Sequence, residues 1–193
     1  YINLGYAYYE SKSYDKALEY AKKALEFLLS INDQHSQTYA IELLASIHLG
    51  KGEPDIAKPL IDESLHLARE TKNEYSYQNN LKQLGDYHFQ KESYDSAQHY
   101  YTLSMESNAE NSYSDNLLLS TVAMARCYFA QHDFTNAMAT AEMGYQQSLK
   151  GKNKNFTQEI CALLGDIYLS ANNLERSNYY LKLSSLYKDS IMN

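Results

Sequence analysis

Apolar residues recur along the chain at helical spacing, in stretches separated by short polar clusters. Leu81, Leu84 and His88 stand at i, i+3 and i+7, and Cys161, Leu164 and Tyr168 repeat that spacing, which puts each trio on one face of a helix. A denser stripe, Ala17, Ala21, Ala24, Leu25 and Leu28, marks a second kind of helix. The breaks between the two kinds are Ser11-Lys12-Ser13, Gly50-Lys51-Gly52, Lys91-Glu92-Ser93, Gln131-His132-Asp133 and Ala171-Asn172-Asn173. The stripes end at Asn32-Asp33, Lys72-Asn73, Asn108-Ala109-Glu110-Asn111 and Gly151-Lys152-Asn153. Ser13, Ser93, Asp133 and Asn173 occupy the position from which an N-cap oxygen would serve the following helix.

The pattern repeats. Leu4-Gly5-Tyr6-Ala7-Tyr8 returns as Leu84-Gly85-Asp86-Tyr87-His88 and Leu164-Gly165-Asp166-Ile167-Tyr168, with weaker copies at Leu44-Ala45-Ser46-Ile47-His48 and Met124-Ala125-Arg126-Cys127-Tyr128. The small residue falls at 5, 45, 85, 125 and 165. A second small residue follows at Ala17, Ala57, Ala97, Ala137 and Ser177, preceded by Tyr14, Pro54, Tyr94, Phe134 and Leu174. Small residues at recurring positions let antiparallel helices approach closely while larger side chains fill the flanks. One such hairpin cannot bury its apolar face alone, but stacked copies can, so a quasi-one-dimensional array is expected. The units are 1–33, 34–73, 74–112, 113–153 and 154–193, the first lacking a few residues at its start.

The spacing Leu-Gly-x-x-Tyr, then Tyr, then Ala, then a further small residue resembles the tetratricopeptide repeat over essentially the whole chain. The large ring usual three residues before the Leu appears only as Tyr1, being Ile41, Leu81, Thr121 and Cys161 elsewhere, and the closing Pro is missing. The stride exceeds the commoner 34, and the added residues lengthen each hairpin by about 1.7 helical turns. The resemblance implies an all-α, right-handed α-α superhelical solenoid of about five helix hairpins. Long-unit arrays of this kind occur in bacterial peptide-sensing regulators and in peptide-binding scaffolds.

In that family the first helix of each hairpin lines the concave side, so register nominates Tyr6, Tyr9, Glu42, Ser46, Lys82, Asp86, Phe89, Arg126, Phe129 and Asp166 as groove residues. Asp86, Arg126 and Asp166 then form a charge row, which either fixes a polar ligand or is a solvated ion-pair ladder worth about 0–1 kcal/mol per pair. Phe89 and Phe129 offer rings suited to recognition. The family's chaperone-binding branch clamps a terminal carboxylate with Lys, Asn and Arg. Here those positions hold Ile2, Tyr6, Leu43, Asn79 and Gln83, so that partner is not expected.

Composition narrows the field. With 17 Lys plus Arg against 24 Asp plus Glu, the net charge is −7, unsuited to gripping nucleic acid or an anionic membrane surface through this segment. Seven Gly and two Pro are too few for a turn-dense all-β fold, and no apolar run has the length of a membrane span. His48 and His88 replace the Tyr of Tyr8, Tyr128 and Tyr168, which reads as packing rather than a metal pair, since no further ligands have suitable spacing. Cys127 and Cys161 fall at helix-facing positions and read as buried thiols. Ser13-Tyr14-Asp15-Lys16 and Gly50-Lys51-Gly52 lack the context of catalytic or phosphate-binding motifs. No enzyme activity, cofactor or metal is expected.

The chain starts at Tyr1 inside an apolar pattern, as an excerpt of a longer polypeptide would. Its closing stretch, Tyr179 to Ile191, is too apolar for a capping helix and calls for a cover: more chain, a partner, or a sister subunit in an end-to-end homo-oligomer. The Tyr187-Lys188-Asp189-Ser190-Ile191 ending resembles a junction in membrane-anchored bacterial sensors, which favours a periplasmic over a cytoplasmic location. The expected function is a protein- or peptide-binding module, the ligand-sensing or scaffold region of a bacterial signal-transduction regulator. The alternative is a free-standing assembly scaffold that holds another folded subunit.

Overall fold

The computed structural model describes residues 1–107 and 115–192. The polar cluster Asn108-Ala109-Glu110-Asn111 lies outside the described residues. Among them are ten α-helices and no strand: α1 Ile2–Glu10, α2 Tyr14–Ser30, α3 Gln34–Gly50, α4 Pro54–Glu70, α5 Glu74–Gln90, α6 Tyr94–Ser107, α7 Asp115–Ala130, α8 Phe134–Lys150, α9 Lys154–Ser170 and α10 Leu174–Met192. Each odd-numbered helix pairs with its successor as a hairpin of the repeat. The chain forms two compact units, Tyr1–Tyr100 and Tyr101–Asn193, divided within α6.

The two kinds of helix are buried differently. In α2 only the stripe Ala17, Ala21, Ala24 and Leu28 is buried. In α3 burial runs nearly all round, from Gln37 and Thr38 to Ile47 and Leu49, because a hairpin packs on either side of it. Ala17, Ala57, Ala97 and Ala137 are fully buried, as the close approach of paired helices requires. In unit 1 the α3 backbone runs close to both α1 and α5, and in unit 2 α7 likewise runs close to α9; α8 and α10 touch only at the tips of long side chains, through the Arg176–Glu142 ion pair at 3.0 Å and the Tyr145–Tyr180 ring contact at 5.8 Å. A stack whose first helices approach backbone to backbone, while its second helices reach each other only through long side chains, curves toward the first helices, so within each unit these form the inner layer.

Each described turn is closed by one residue in the left-handed region: Lys12, Asn32, Gly52, Lys72, Glu92, His132, Lys152 and Asn172. At the first, the Lys12 N–H donates to the Tyr9 carbonyl (2.9 Å) and the Ser13 N–H to that of Tyr8 (2.8 Å), the bonding of a Schellman motif. Only Gly52 escapes the Cβ penalty of that conformation.

The expected caps divide. Asp133 accepts from the Asn136 N–H and Asn173 from the Arg176 N–H, each at 3.1 Å. Ser13 makes no such bond; its hydroxyl accepts from Ser11 at 3.3 Å, and that of Ser93 donates back to the Lys91 carbonyl at 3.5 Å. A rotatable hydroxyl is satisfied by neighbouring turn atoms, whereas a carboxylate or amide oxygen reaches the helix N–H. The clusters ending the second helices also cap: Asp33, Asn73 and Asn153 serve α3, α5 and α9.

The rings follow the repeat. Tyr8 stacks on Tyr20, His88 on Tyr100 and Tyr168 on Tyr180, with centroids 5.4, 5.2 and 5.6 Å apart. His88 thus does the packing work of tyrosine, and burial lowers its pKa. His48 differs, lacking a ring at Leu60 to stack on: its Nδ1 lies 2.7 Å from Glu53. Both cysteines are buried and unbridged, and burial pushes the Cys161 thiol up to about 11, so it stays protonated.

Candidate functional site

The inner layer of unit 1 gathers six of the nominated residues: Tyr6 and Tyr9 from α1, Glu42 and Ser46 from α3, and Lys82 and Asp86 from α5. The centre is Glu42, only 1% exposed. Its Oε1 accepts from the Tyr6 hydroxyl at 3.0 Å and from the Asn79 amide at 2.5 Å. Gln83 Nε2 donates to the Glu42 backbone carbonyl (3.0 Å) and to Ser46 Oγ (2.7 Å). One carboxyl group therefore ties together three successive hairpins.

Burial dominates the electrostatics. It pushes the Glu42 carboxyl up to about 7, against the opposing pull of the Asn79, Tyr6 and Ser76 hydrogen bonds and the Lys82 charge. Burial and the neighbouring Glu42 raise the Tyr6 phenol well above its ordinary value. Tyr9 is also raised by burial, while Lys82 opposes the shift. At the rim Lys82 and Asp86 form a half-buried ion pair at 2.7 Å. Phe89 lies beside them in sequence but turns toward the hairpin loop, packing edge-on against Tyr94 at 5.8 Å.

In unit 2, Arg126 donates to Glu159 at 2.8 Å, with both side chains about half exposed. Within unit 2 Arg126 engages Glu159 of the next first helix, while Asp166 of that helix is exposed. The reason is stagger. Whereas Gln83 and Gln90 reach back 41 residues to backbone carbonyls, bonds from side chain to side chain between neighbouring first helices join residues 33 to 38 apart, as in Tyr6–Glu42, Glu42–Asn79, Thr38–Ser76 and Arg126–Glu159. A side chain therefore faces the residue about one turn earlier in the next helix. Phe129 is half-buried against Phe134 at 6.1 Å, as Phe89 is against Tyr94.

Asn79 and Gln83 also belong to the site. Register places Asn79, with Tyr39, Leu119 and Glu159, toward the start of a first helix, and Gln83 carries a signal of its own. Gln83 stands where Leu43, Ala123 and Leu163 stand in other units, Asn3 being the other polar residue there, and Glu42 where Ile2, Val122 and Ala162 stand, Lys82 being the other charged residue there. Polar residues at mostly apolar positions need partners when buried, because an unpaired buried polar group is costly.

A tetratricopeptide-repeat family model matches residues 1–27. BtubC from P. vanneervenii shares the fold with a TM-score of 0.74 at 16% identity, over 98% of this chain and 79% of that one. A Rap protein complexed with Competence and Sporulation Factor gives 0.75 at 11% identity, over 97% of this chain and 62% of that one. A Signal Transduction ATPase with Numerous Domains from Pyrococcus horikoshii, which carries a tetratricopeptide-repeat sensor, gives 0.70 at 20% identity, over 94% of this chain and 28% of that one. At these identities the likeness is one of fold. It is the all-α superhelical repeat of helix hairpins that the tetratricopeptide-repeat resemblance implied.

Proposed function

We propose that this tetratricopeptide-repeat chain binds a peptide or protein segment on the inner layer of its first helices and is the ligand-sensing or scaffold part of a signal-transduction regulator. The carrying observation is the wall of unit 1, where Tyr6, Tyr9, Ser46, Lys82 and Asp86 surround the buried Glu42. Half-buried rings beside an ion pair and amides provide apolar contact and backbone-directed hydrogen bonding together, which an extended segment needs. The fold neighbour complexed with Competence and Sporulation Factor and the sensor-bearing ATPase support a sensory use of the fold. Exposed Leu174, Tyr179, Leu186 and Ile191 on α10 favour a second reading, a scaffold that holds a folded subunit at that end.

The test is a random-peptide display library panned against the chain, with fluorescence anisotropy on the enriched peptides. Tyr9→Ala combined with Lys82→Ala should weaken binding tenfold or more while circular dichroism stays unchanged. Failure to enrich any peptide, or equal binding by the double variant, would count against the inner-layer site.

A further inference from the structure

Glu42 combines three features that packing alone does not require. It is a carboxyl group shut away from solvent between α1, α3 and α5. Tyr6 and Asn79 both donate to Oε1, and the Ser76 hydroxyl is the third side-chain group that favours the anion. Its Oε2 is buried without a hydrogen-bonding partner among the described residues. A buried carboxylate normally collects donors on both oxygens, because an unsatisfied charged oxygen is far costlier than an unsatisfied neutral one. The arrangement suits the protonated acid and fits the anion poorly.

We propose that Glu42 is a proton-operated latch: protonated, it joins the first helices of three successive hairpins into one wall, and ionised, it loosens that wall. The groups around it are few. α1 contributes Tyr6 and Tyr9, and α5 contributes Tyr75, Lys82 and Asp86. α2 and α4 meet α3 through apolar side chains, Ala17 and Ala21 on one side and Ala57 and Ile61 on the other, and through neutral hydrogen bonds, Gln37 to the Leu28 carbonyl and Ser64 to the Thr38 carbonyl. The nearby cation is the Lys82 ammonium, held 2.7 Å from Asp86. A charge on Oε2 draws that ammonium or water inward. Either movement disturbs the Lys82–Asp86 pair and the contact between α3 and α5. Burial places the carboxyl midpoint at about 7, so the latch would work in the neutral range. This inference concerns the wall itself and holds whether or not a peptide binds there.

The test joins two measurements on the full chain. Carbon-13 NMR of the Glu42 carboxyl should show a midpoint at least two pH units above an ordinary glutamate. Amide hydrogen exchange, corrected for the intrinsic pH dependence, should show protection in α3 and α5 falling tenfold or more between pH 5.5 and pH 8.5. In Glu42→Gln that fall should vanish. Tyr6→Phe, which removes one donor to the anion, should move the midpoint upward and keeps the test open if Glu42→Gln folds poorly. A carboxyl that titrates below pH 5 would overturn the proposal, as would wild-type protection independent of pH or a midpoint unmoved by Tyr6→Phe.

Discussion

Gly5→Ala tests the packing account most directly. A Cβ built on Gly5 lies 3.6 Å from the Ala17 carbonyl oxygen and 3.7 Å from the Ala21 nitrogen, both ordinary contacts, but 2.6 Å from Leu43 Cδ2. The neighbouring helix therefore has room for the methyl group, and Leu43 alone blocks it. Leu43 is 0% exposed, so it can yield only by shifting the core around it. Overpacking of this kind costs about 1–3 kcal/mol, while alanine in place of glycine inside a helix returns about 1 kcal/mol. The expected net loss is about 0–2 kcal/mol. The sharper readout is a double-mutant cycle with Leu43→Val, measured by urea unfolding followed by circular dichroism. Leu43→Val alone should cost about 1 kcal/mol by removing buried volume. Beside Gly5→Ala, the same change relieves the clash and the new methyl group occupies part of the vacated space. The two should therefore couple favourably by about 1–3 kcal/mol. Additive effects, or a Gly5→Ala protein stabilised by the whole propensity gain, would refute the claim that Leu43 sets the spacing of the first two hairpins. Ala45 carries a methyl group at the same register, and the next unit has Gln83 where Leu43 stands, its amide drawn to Ser46.

Other expectations follow from single groups. Because the Glu42 pKa is raised from 4.5 to about 7 on folding, its contribution to stability is fully present below pH 4.5 and is lost as pH rises to about 7; urea titrations should show a decline on the order of 3 kcal/mol over that range that Glu42→Gln abolishes. Lys72, exposed with φ +52°, should gain up to about 1 kcal/mol on replacement by Gly, whereas Gly52→Val at φ +73° should lose at least as much in thermal unfolding. Asp133→Ala removes a formed cap and should cost about 1 kcal/mol, while Ser13→Ala should be close to neutral in the same assay.

The sequence by itself determined the repeat. The small residues at 5, 45, 85, 125 and 165, with their partners twelve positions on, are local statements about where helix backbones come close, and helical periodicity makes them readable without coordinates. Tyr8, His88 and Tyr168 could likewise be recognised as equivalent, because repetition preserves their surroundings. The nomination of Tyr6, Glu42, Ser46, Lys82 and Asp86 as neighbours came from the same register. Tertiary structure decided who meets whom across hairpins. Neighbouring first helices are offset by about one turn, an angle and shift set by how whole side-chain surfaces interlock, and no stride in the sequence encodes that offset. Hence Arg126 finds Glu159, and Glu42 finds Asn79 rather than Lys82, its equivalent one stride on. Burial is decided at the same level: a glutamate on a helix face becomes a group that titrates near neutrality only when three helices close over it and leave one oxygen without a donor.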